Sequence, residues 1–436
     1  NFFSGGQDMA NRFDVIETQD GNYSILQNAR INVDNVSQYE GYNVKLADGS
    51  YSGYNEIITS SNSGSTVYGN YGDDVLYGAG GDDWLQGSQG DDIIEGGISG
   101  NDVLSGDTGD DLLVAGSKIN DVFTYLNHDD VEMYGGEGND TIISGAGNDF
   151  IWGGTGNDTI YINGGSNTMV FSESDFGEDA VYGSTSVDNL KFAVTYDNES
   201  YTGYKFSDLT FTRNSQNLEI TANGNKVTLV QFFDGTKLSD NLDKIYALDD
   251  EGNYQEFSII NDAVINISET DSYMGYNVFD EITGTYVGYR EQIISADGGS
   301  VIYGSMGSDI IYGGDGNDTI FSVGGNNEIY GNAGDDRIIG GSGSDTIYGG
   351  DGDDTITAGK GDDILSGGEG ENTFVFNFGD GNDTIVDIKP TDKIKFNDVL
   401  FSDLEFVKNE ENLVINYGTS SLTLENFFNG EQDMAN

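Results

Sequence analysis

Between Gly313 and Thr357 the chain repeats a nine-residue pattern five times without a gap: GGDGNDTIF, SVGGNNEIY, GNAGDDRII, GGSGSDTIY and GGDGDDTIT. Gly or Ser opens each copy, Gly stands at the fourth place, and Asp stands at the sixth in four of the five. The eighth place is always Ile: Ile320, Ile329, Ile338, Ile347 and Ile356. A period this strict constrains the fold more than any other feature. Each copy must take the same local conformation, and it can bury its apolar residue only against its neighbours.

The pattern has a mechanical reading. Gly allows positive φ and close backbone approach, so the first six residues can make a tight turn. The last three, Thr-Ile-Tyr in one copy, favour a short strand whose eighth residue points inward and whose seventh and ninth point outward. One turn and one strand make half a coil, so two copies make a full one. Stacked coils set the strands parallel and edge to edge around a column of Ile. The sixth-place Asp residues then stack in columns as well. Stacked carboxylates repel unless a cation sits among them. Carboxylates and turn carbonyls together form an all-oxygen site, which suits a hard cation such as Ca²⁺.

The nonamer resembles the haemolysin-type calcium-binding repeat of secreted RTX (repeats-in-toxin) proteins, G-G-x-G-x-D-x-U-x. The resemblance implies a parallel β-roll in which multiple Ca²⁺ ions are held between successive turns by Asp carboxylates and backbone carbonyls. The expected fold class is all-β, with two tandem Ca-binding parallel β-rolls (a solenoid) joined and capped by small antiparallel β subdomains.

The charge balance narrows the partners. The chain of 436 residues carries 76 acidic and 17 basic side chains, for a net charge of -59. That charge repels nucleic acid and anionic membranes. No apolar run of about 20 residues predicts membrane insertion. The single Pro fits a stack in which nearly every strand N–H is needed, and the absence of Cys leaves cross-linking to metal. The opening Asn1-Phe2-Phe3 does not read as a secretory leader. No C-terminal export signal is identifiable, so the sequence reads as a section of a longer protein.

The ends carry a second repeat. Residues 1–11 read NFFSGGQDMAN, residues 426–436 read NFFNGEQDMAN, and 231–241 hold a cousin, QFFDGTKLSDN. The chain is therefore two tandem units, roughly 1–231 and 232–436. Six segments follow: a strand-rich cap or junction over 1–67, a roll over 68–170, a post-repeat β block over 171–235, a second cap or junction over 236–302, a second roll over 303–386, and a second post-repeat block over 387–436 that begins the next unit. FSDLTFTRNSQNLEITANGNKVTLVQFFDG (206–235) matches FSDLEFVKNEENLVINYGTSSLTLENFFNG (401–430), preceded by DNLKF (188–192) or DKIKF (392–396). These blocks resemble the strands that follow RTX repeats in large haemolysin-type proteins. Their alternation predicts antiparallel hairpins, and their Phe pairs (Phe232 and Phe233; Phe427 and Phe428) are expected to plug the roll ends.

The expected metal ligands are the sixth-place carboxylates. In the first roll they are Asp74, Asp83, Asp92, Asp102, Asp111, Asp121, Asp140, Asp149 and Asp158; in the second, Asp309, Asp318, Asp336, Asp345, Asp354, Asp363 and Asp383. Asn167, Asn327 and Asn372 take the same place; Asn keeps an oxygen but loses the charge, so sites at Asn327 and Asn372 should be weaker or empty. Fifth-place residues such as Asp73, Asp82, Asp91, Asp335, Asp353 and Asp362 are expected to be solvated. The first roll's inward column should pass through Leu104, Leu113, Phe123 and Ile142, with 124–133 as an insertion holding the one histidine, His128, on the surface.

Catalysis is not expected: there is no Cys, one His and no H-E-x-x-H motif. The expected function is a calcium-dependent structural section of a large secreted or cell-surface bacterial protein, such as a surface layer, filament or adhesin stalk. Such a chain would fold on meeting Ca²⁺ outside the cell and self-associate head to tail or in a lattice. The alternatives are the non-catalytic C-terminal RTX region of a type I-secreted toxin or hydrolase, and an adhesin module that binds a cell-surface glycan.

Overall fold

The computed structural model describes residues 15–18, 21–24, 30–32, 38–41, 43–45, 51–119, 122–124, 129–172, 174–185, 187–195, 201–233, 242–267, 271–275, 277–280 and 285–428. Two compact units emerge. The first comprises Asn1–Thr210, Gln216–Phe232 and Asp240–Ile259; the second comprises Phe211–Ser215, Phe233–Ser239 and Ile260–Asn436. Apart from single helical turns such as Ile259–Asp262, the described elements are strands.

Each nonamer supplies one strand, and strands pair with those one coil away. In unit 1 one parallel ladder runs through Gln38–Glu40, Thr66–Tyr71, Trp84–Gln89, Val103–Thr108, Glu132–Glu137, Phe150–Thr155, Thr168–Val170 and Asn189–Lys191. The other runs through Ile57–Thr59, Val75–Tyr77, Ile93–Glu95, Leu112–Val114, Thr141–Ile143, Thr159–Tyr161 and Glu178–Tyr182. The register matches eighth place to eighth place, as in Leu76↔Ile94 and Ile94↔Leu113. Leu76, Leu85, Ile94, Leu104, Leu113, Ile142, Ile151, Ile160 and Met169 are fully buried, as the period requires. Unit 2 repeats the arrangement with Ile293, Ile311, Ile329, Ile347, Leu365 and Ile385 in one column, and Ile302, Ile320, Ile338, Ile356 and Phe374 in the other.

In both units the parallel pairing extends past the nonamers, taking in Ile57–Thr59 before the first roll and Lys393–Phe396 after the second. The post-repeat blocks are antiparallel, as their alternation predicts. Asn217–Ala222 pairs with Asn225–Leu229, and Leu404–Asn409, Asn412–Tyr417 and Ser420–Leu424 form a meander. Each block joins its roll through one parallel pair, Glu178–Tyr182 with Asn225–Leu229 and Asn382–Ile385 with Ser420–Leu424.

Three expectations need correction. The inward column of the first roll passes from Leu104 directly to Met133, not through Phe123. Ser117–Ile119 and Val122–Thr124 form a separate antiparallel hairpin, and a looped-out segment that pairs with itself leaves the strands on either side in register one coil apart. Asp121 and His128 lie outside the described residues. Aromatic clusters that the sequence reading did not include lie beside the expected Phe pairs: Phe171, Phe176 and Phe192 in unit 1, and Phe376, Phe396 and Tyr417 in unit 2. Phe232 and Phe233 are buried, but Phe427 is 40% exposed. The fifth-place residues are exposed but bonded: the Asp73 carboxylate accepts the N–H of Asp91 at 3.1 Å, and Asp353 accepts that of Glu371 at 2.8 Å.

Candidate metal centre

The Gly-rich turns bring the sixth-place residues into line along each side of a roll. One carboxylate oxygen, Oδ1, accepts the backbone N–H of the sixth-place residue one coil earlier. In unit 1 this produces Glu56→Asp74→Asp92→Asp111→Asp140→Asp158→Asp179, each N–H donating to the next Oδ1 at 2.7–2.8 Å. On the other side Ser65 donates to Asp83 and Asp83 to Asp102 at 2.8 and 2.9 Å. In unit 2 one series is Glu291→Asp309→Asn327→Asp345→Asp363→Asp383, at 2.7–3.2 Å. The other is Ser300→Asp318→Asp336→Asp354→Asn372→Asp392, at 2.6–3.0 Å. The fifth-place ladder runs the opposite way, so each coil is bonded to both neighbours by side chains as well as by strands.

The second oxygen tells the sites apart. In Asp74, Asp83, Asp92, Asp102, Asp111, Asp140, Asp318, Asp336, Asp345, Asp354 and Asp363, Oδ2 is buried and has no hydrogen-bond partner. A buried charged oxygen without a partner is strongly disfavoured unless a cation or proton meets it. These oxygens face a cradle shaped by the first Gly of the repeat. A Cβ built on Gly313 would lie 2.6 Å from Asp318 Oδ2 and 2.6 Å from the carbonyl of Gly331 one coil on. Gly331 and Gly349 face Asp336 and Asp354 in the same way. Gly at that place keeps open the space where carboxylate and carbonyl oxygens converge; Ala358, before Asp363, is an exception. Among the described residues no three His, Cys, Asp or Glu side chains converge on one point. A cation here would therefore draw on main-chain carbonyls as well. An all-oxygen set of this kind fits a hard cation such as Ca²⁺.

Protonation reports the same electrostatic stress. Burial first, and neighbouring carboxylates second, push Asp74, Asp102 and Asp140 up from 3.8 to about 8. Asp92, Asp345 and Asp354 are raised to about 7 by the same cause, burial foremost.

Where the sixth residue is Asn, the turn is closed without a cation. Asn327 Nδ2 donates to the carbonyls of Gly324 and Gly325 at 3.1 and 3.2 Å and to Asp345 Oδ1 at 2.8 Å. Asn167 reaches the Gly164 carbonyl at 3.0 Å and Asn372 that of Gly368 at 3.4 Å. The amide hydrogens occupy carbonyls that would otherwise serve a metal.

Three of the expected ligands have their second oxygen engaged. Asp149 Oδ2 accepts the Gly145 N–H at 2.9 Å, Asp309 Oδ2 accepts the Ser305 N–H at 2.7 Å, and Asp383 Oδ2 accepts the Tyr417 hydroxyl at 3.4 Å. Sequence reasoning also missed members of the columns. Asp179, Asp188 and Asp392 continue them past the nonamers, and Glu56 and Glu291 begin them. All five show an acidic residue two places before an inward aliphatic: Asp179 and Val181, Asp188 and Leu190, Asp392 and Ile394, Glu56 and Ile58, Glu291 and Ile293. That triad, read without the surrounding Gly, would have found them.

The model of the RTX calcium-binding nonapeptide repeat (4 copies) matches residues 68–99, 97–117, 134–169, 288–320, 312–347, 321–356, 339–374 and 348–385. No curated protein matches the chain at a significant level. Among solved structures, the crystal structure of extracellular lipase LipA from Serratia marcescens is similar at 17% identity and a TM-score of 0.22, covering 73% of this chain. The chain spans 43% of that lipase's length.

Proposed function

Since the chain carries RTX calcium-binding nonapeptide repeats, which bind calcium ions, in both of its units, we propose that it is a calcium-dependent structural section of a large secreted or cell-surface bacterial protein, exported through a type I route and folded outside the cell. The observation that carries this reading is the set of buried, partnerless Oδ2 atoms, most of them beside a Gly cradle and a turn carbonyl. The ligands are assigned to Asp74, Asp83, Asp92, Asp102, Asp111, Asp140, Asp318, Asp336, Asp345, Asp354 and Asp363. Bound Ca²⁺ supplies positive charge that neutralises the stacked carboxylates.

With a net charge of -59 the metal-free chain should remain expanded and suited to export where Ca²⁺ is scarce. Outside the cell Ca²⁺ is near millimolar, a concentration matched to weak extracellular sites of about 10⁻⁴–10⁻³ M. Ligand sets that exist only in the coil turn binding free energy into folding free energy. The rolls act as load-bearing, non-catalytic spacers in this reading, and the two tandem units support a repeat array. No helix among the described residues is long and apolar enough to cross a membrane. Size-exclusion chromatography with light scattering, in millimolar Ca²⁺ and in chelator, tests the proposal. A large compaction on adding Ca²⁺ is expected, and equal hydrodynamic radii in the two conditions would refute it.

A further inference from the structure

The turn GGEGEN (367–372) of the second roll differs from the open turns before it. Its sixth residue is Asn372, whose Nδ2 lies 2.5 Å from a Cβ built on Gly367, the place that Asp318 Oδ2 takes beside Gly313 at 2.6 Å. The amide therefore points into the cradle without bringing a charge, and it reaches the Gly368 carbonyl only at 3.4 Å. That carbonyl has a closer partner. Lys389 Nζ donates to it at 2.6 Å and lies 2.9 Å from the Glu369 carboxylate.

The loop that carries Lys389, DIKPTD (387–392), is tied to this turn on both sides of the ammonium. Asp387 Oδ1 accepts the Gly367 N–H at 3.0 Å, and its Oδ2 accepts the Gly368 N–H at 3.0 Å and the Ser366 hydroxyl at 2.7 Å. Asp392 accepts the Asn372 N–H through Oδ1 at 3.0 Å and the Lys389 N–H through Oδ2 at 2.7 Å. The chain's single proline, Pro390, directly follows Lys389 and biases it toward extended backbone. Carboxylates thus hold the backbone of the turn, and the ammonium sits over its carbonyl. A hydrogen bond from an ionised donor is stronger than one from an amide, so Lys389 and not Asn372 dominates the closure.

Unit 1 makes the corresponding turn without these charges. Counting back from DNLKF and DKIKF, Lys389 corresponds to Thr185 and Lys393 to Asn189, while Glu369 and Glu371 correspond to Gly164 and Ser166. At these positions the anions and cations occur together or not at all. The loop is anchored alike in both units: the Thr185 N–H donates to Asp188 Oδ2 at 2.6 Å, as the Lys389 N–H does to Asp392. The Lys393–Glu371 pair, at 3.4 Å, is exposed and adds little. At the start of the same roll another fixed cation meets a column: Arg213 Nη1 lies 3.7 Å from the buried Glu291, which also accepts the Tyr273 hydroxyl at 2.6 Å.

We propose that Lys389 is a built-in cation, its ammonium taking at the 367–372 turn the place that a calcium ion takes at the turns before it. This rests on the calcium-folding reading and names a turn from which calcium is excluded. A calcium ion there would need the carboxylate that Asn372 lacks and the carbonyl that Lys389 holds. A charge attached to the chain does not depend on free calcium. This end of the second roll is therefore held at calcium concentrations that empty the weak sites.

Equilibrium dialysis of the full chain in millimolar Ca²⁺, with light scattering to check compaction, tests the proposal on the parent, Asn372→Asp, Lys389→Met and the double variant. Asn372→Asp sets a carboxylate oxygen at the Gly367 cradle. With Lys389 in place this variant should bind no more calcium than the parent, because the ammonium already neutralises the turn. Lys389→Met alone should also leave the count unchanged, since Asn372 supplies no charge. The double variant should bind one additional Ca²⁺ per chain. A gain in Asn372→Asp alone, no gain in the double variant, or the loss of a calcium in Lys389→Met would overturn the proposal. Should Lys389→Met fail to compact, Lys389→Thr, which places the unit 1 residue there, replaces it with the same expectations. A parent that binds no calcium would instead overturn the calcium-folding reading.

Discussion

Replacing Asn327 by Asp, together with Ser322 by Gly, should add a calcium site to the second roll; Ser322 stands at the first place of this turn and its hydroxyl donates to the Gly340 carbonyl. Asn327 accepts the Asp309 N–H at 2.9 Å through Oδ1, and an Asp would keep that bond. Its two amide hydrogens are shared among the Gly324 and Gly325 carbonyls and Asp345 Oδ1. An Asp loses both. At about 0.5–1.5 kcal/mol net per hydrogen bond, the lost donors amount to about 1–3 kcal/mol. The change also sets a second buried carboxylate beside Asp345, whose carboxyl is already raised to about 7 by burial. In chelator Asn327→Asp should therefore be less stable than the parent by at least that amount. In calcium, with Ser322→Gly also in place, the freed carbonyls and the new carboxylate form one more site. Occupancy at 100 times the dissociation constant, on the order of 10–100 mM Ca²⁺ for a site of about 10⁻⁴–10⁻³ M, contributes about 2.7 kcal/mol, comparable to the hydrogen-bond loss. Equilibrium dialysis should show one additional bound Ca²⁺ per chain, and urea titrations should show a deficit in chelator that closes in calcium. An unchanged stoichiometry together with parent-like stability in both conditions would refute the idea that the Asn amide stands in for a cation.

Three further outcomes are expected. Asp345→Ala should destabilise its own coil and the adjacent ones by about 1–3 kcal/mol, because it leaves the buried Asn327 N–H without its 2.8 Å acceptor, and it should lose calcium; equal binding and melting in the variant would count against the ladder. Gly313→Ala should lower calcium stoichiometry without backbone strain, since its Cβ would sit 2.6 Å from both Asp318 Oδ2 and the Gly331 carbonyl; parent-like binding in dialysis would remove the cradle. The pH response should change sign with metal. In chelator, Asp74, Asp102 and Asp140 titrate near 8 when folded and near 3.8 when unfolded, so their contribution to stability is full below about 3.8 and is lost as pH rises toward 8. Circular dichroism should then show the metal-free chain gaining β structure on acidification. In calcium, protonation competes with ligation, and the same acidification should loosen the rolls.

Much of this architecture was legible in the sequence because it depends on local spacing. A nine-residue period with Gly turns and an eighth-place aliphatic dictates coils, parallel strands and a column such as Ile311, Ile329 and Ile347, whatever surrounds them. The sixth-place column follows from the same arithmetic. So does the loss of charge at Asn327, although the sequence does not show that its amide closes the turn. Tertiary structure decided which carboxylates stay open. Asp149 and Asp336 occupy the same place in the repeat, yet Asp149 Oδ2 accepts a backbone N–H and Asp336 Oδ2 has no partner. The difference lies in the second residue of each turn: the Gly145 N–H points at Asp149 Oδ2, whereas Asn332, with φ of 77°, does not bond Asp336 Oδ2. Tertiary structure also decided that Leu104 meets Met133 across a looped-out hairpin, and that Glu56 and Glu291 begin the columns. The period specifies each coil from within. Stacking satisfies Oδ1 of each sixth-place carboxylate from a coil 18 or more residues away, while Oδ2 is met by an N–H of its own turn, as at Asp149 and Asp309, or left facing a cation, because the folded turn fixes where that N–H points.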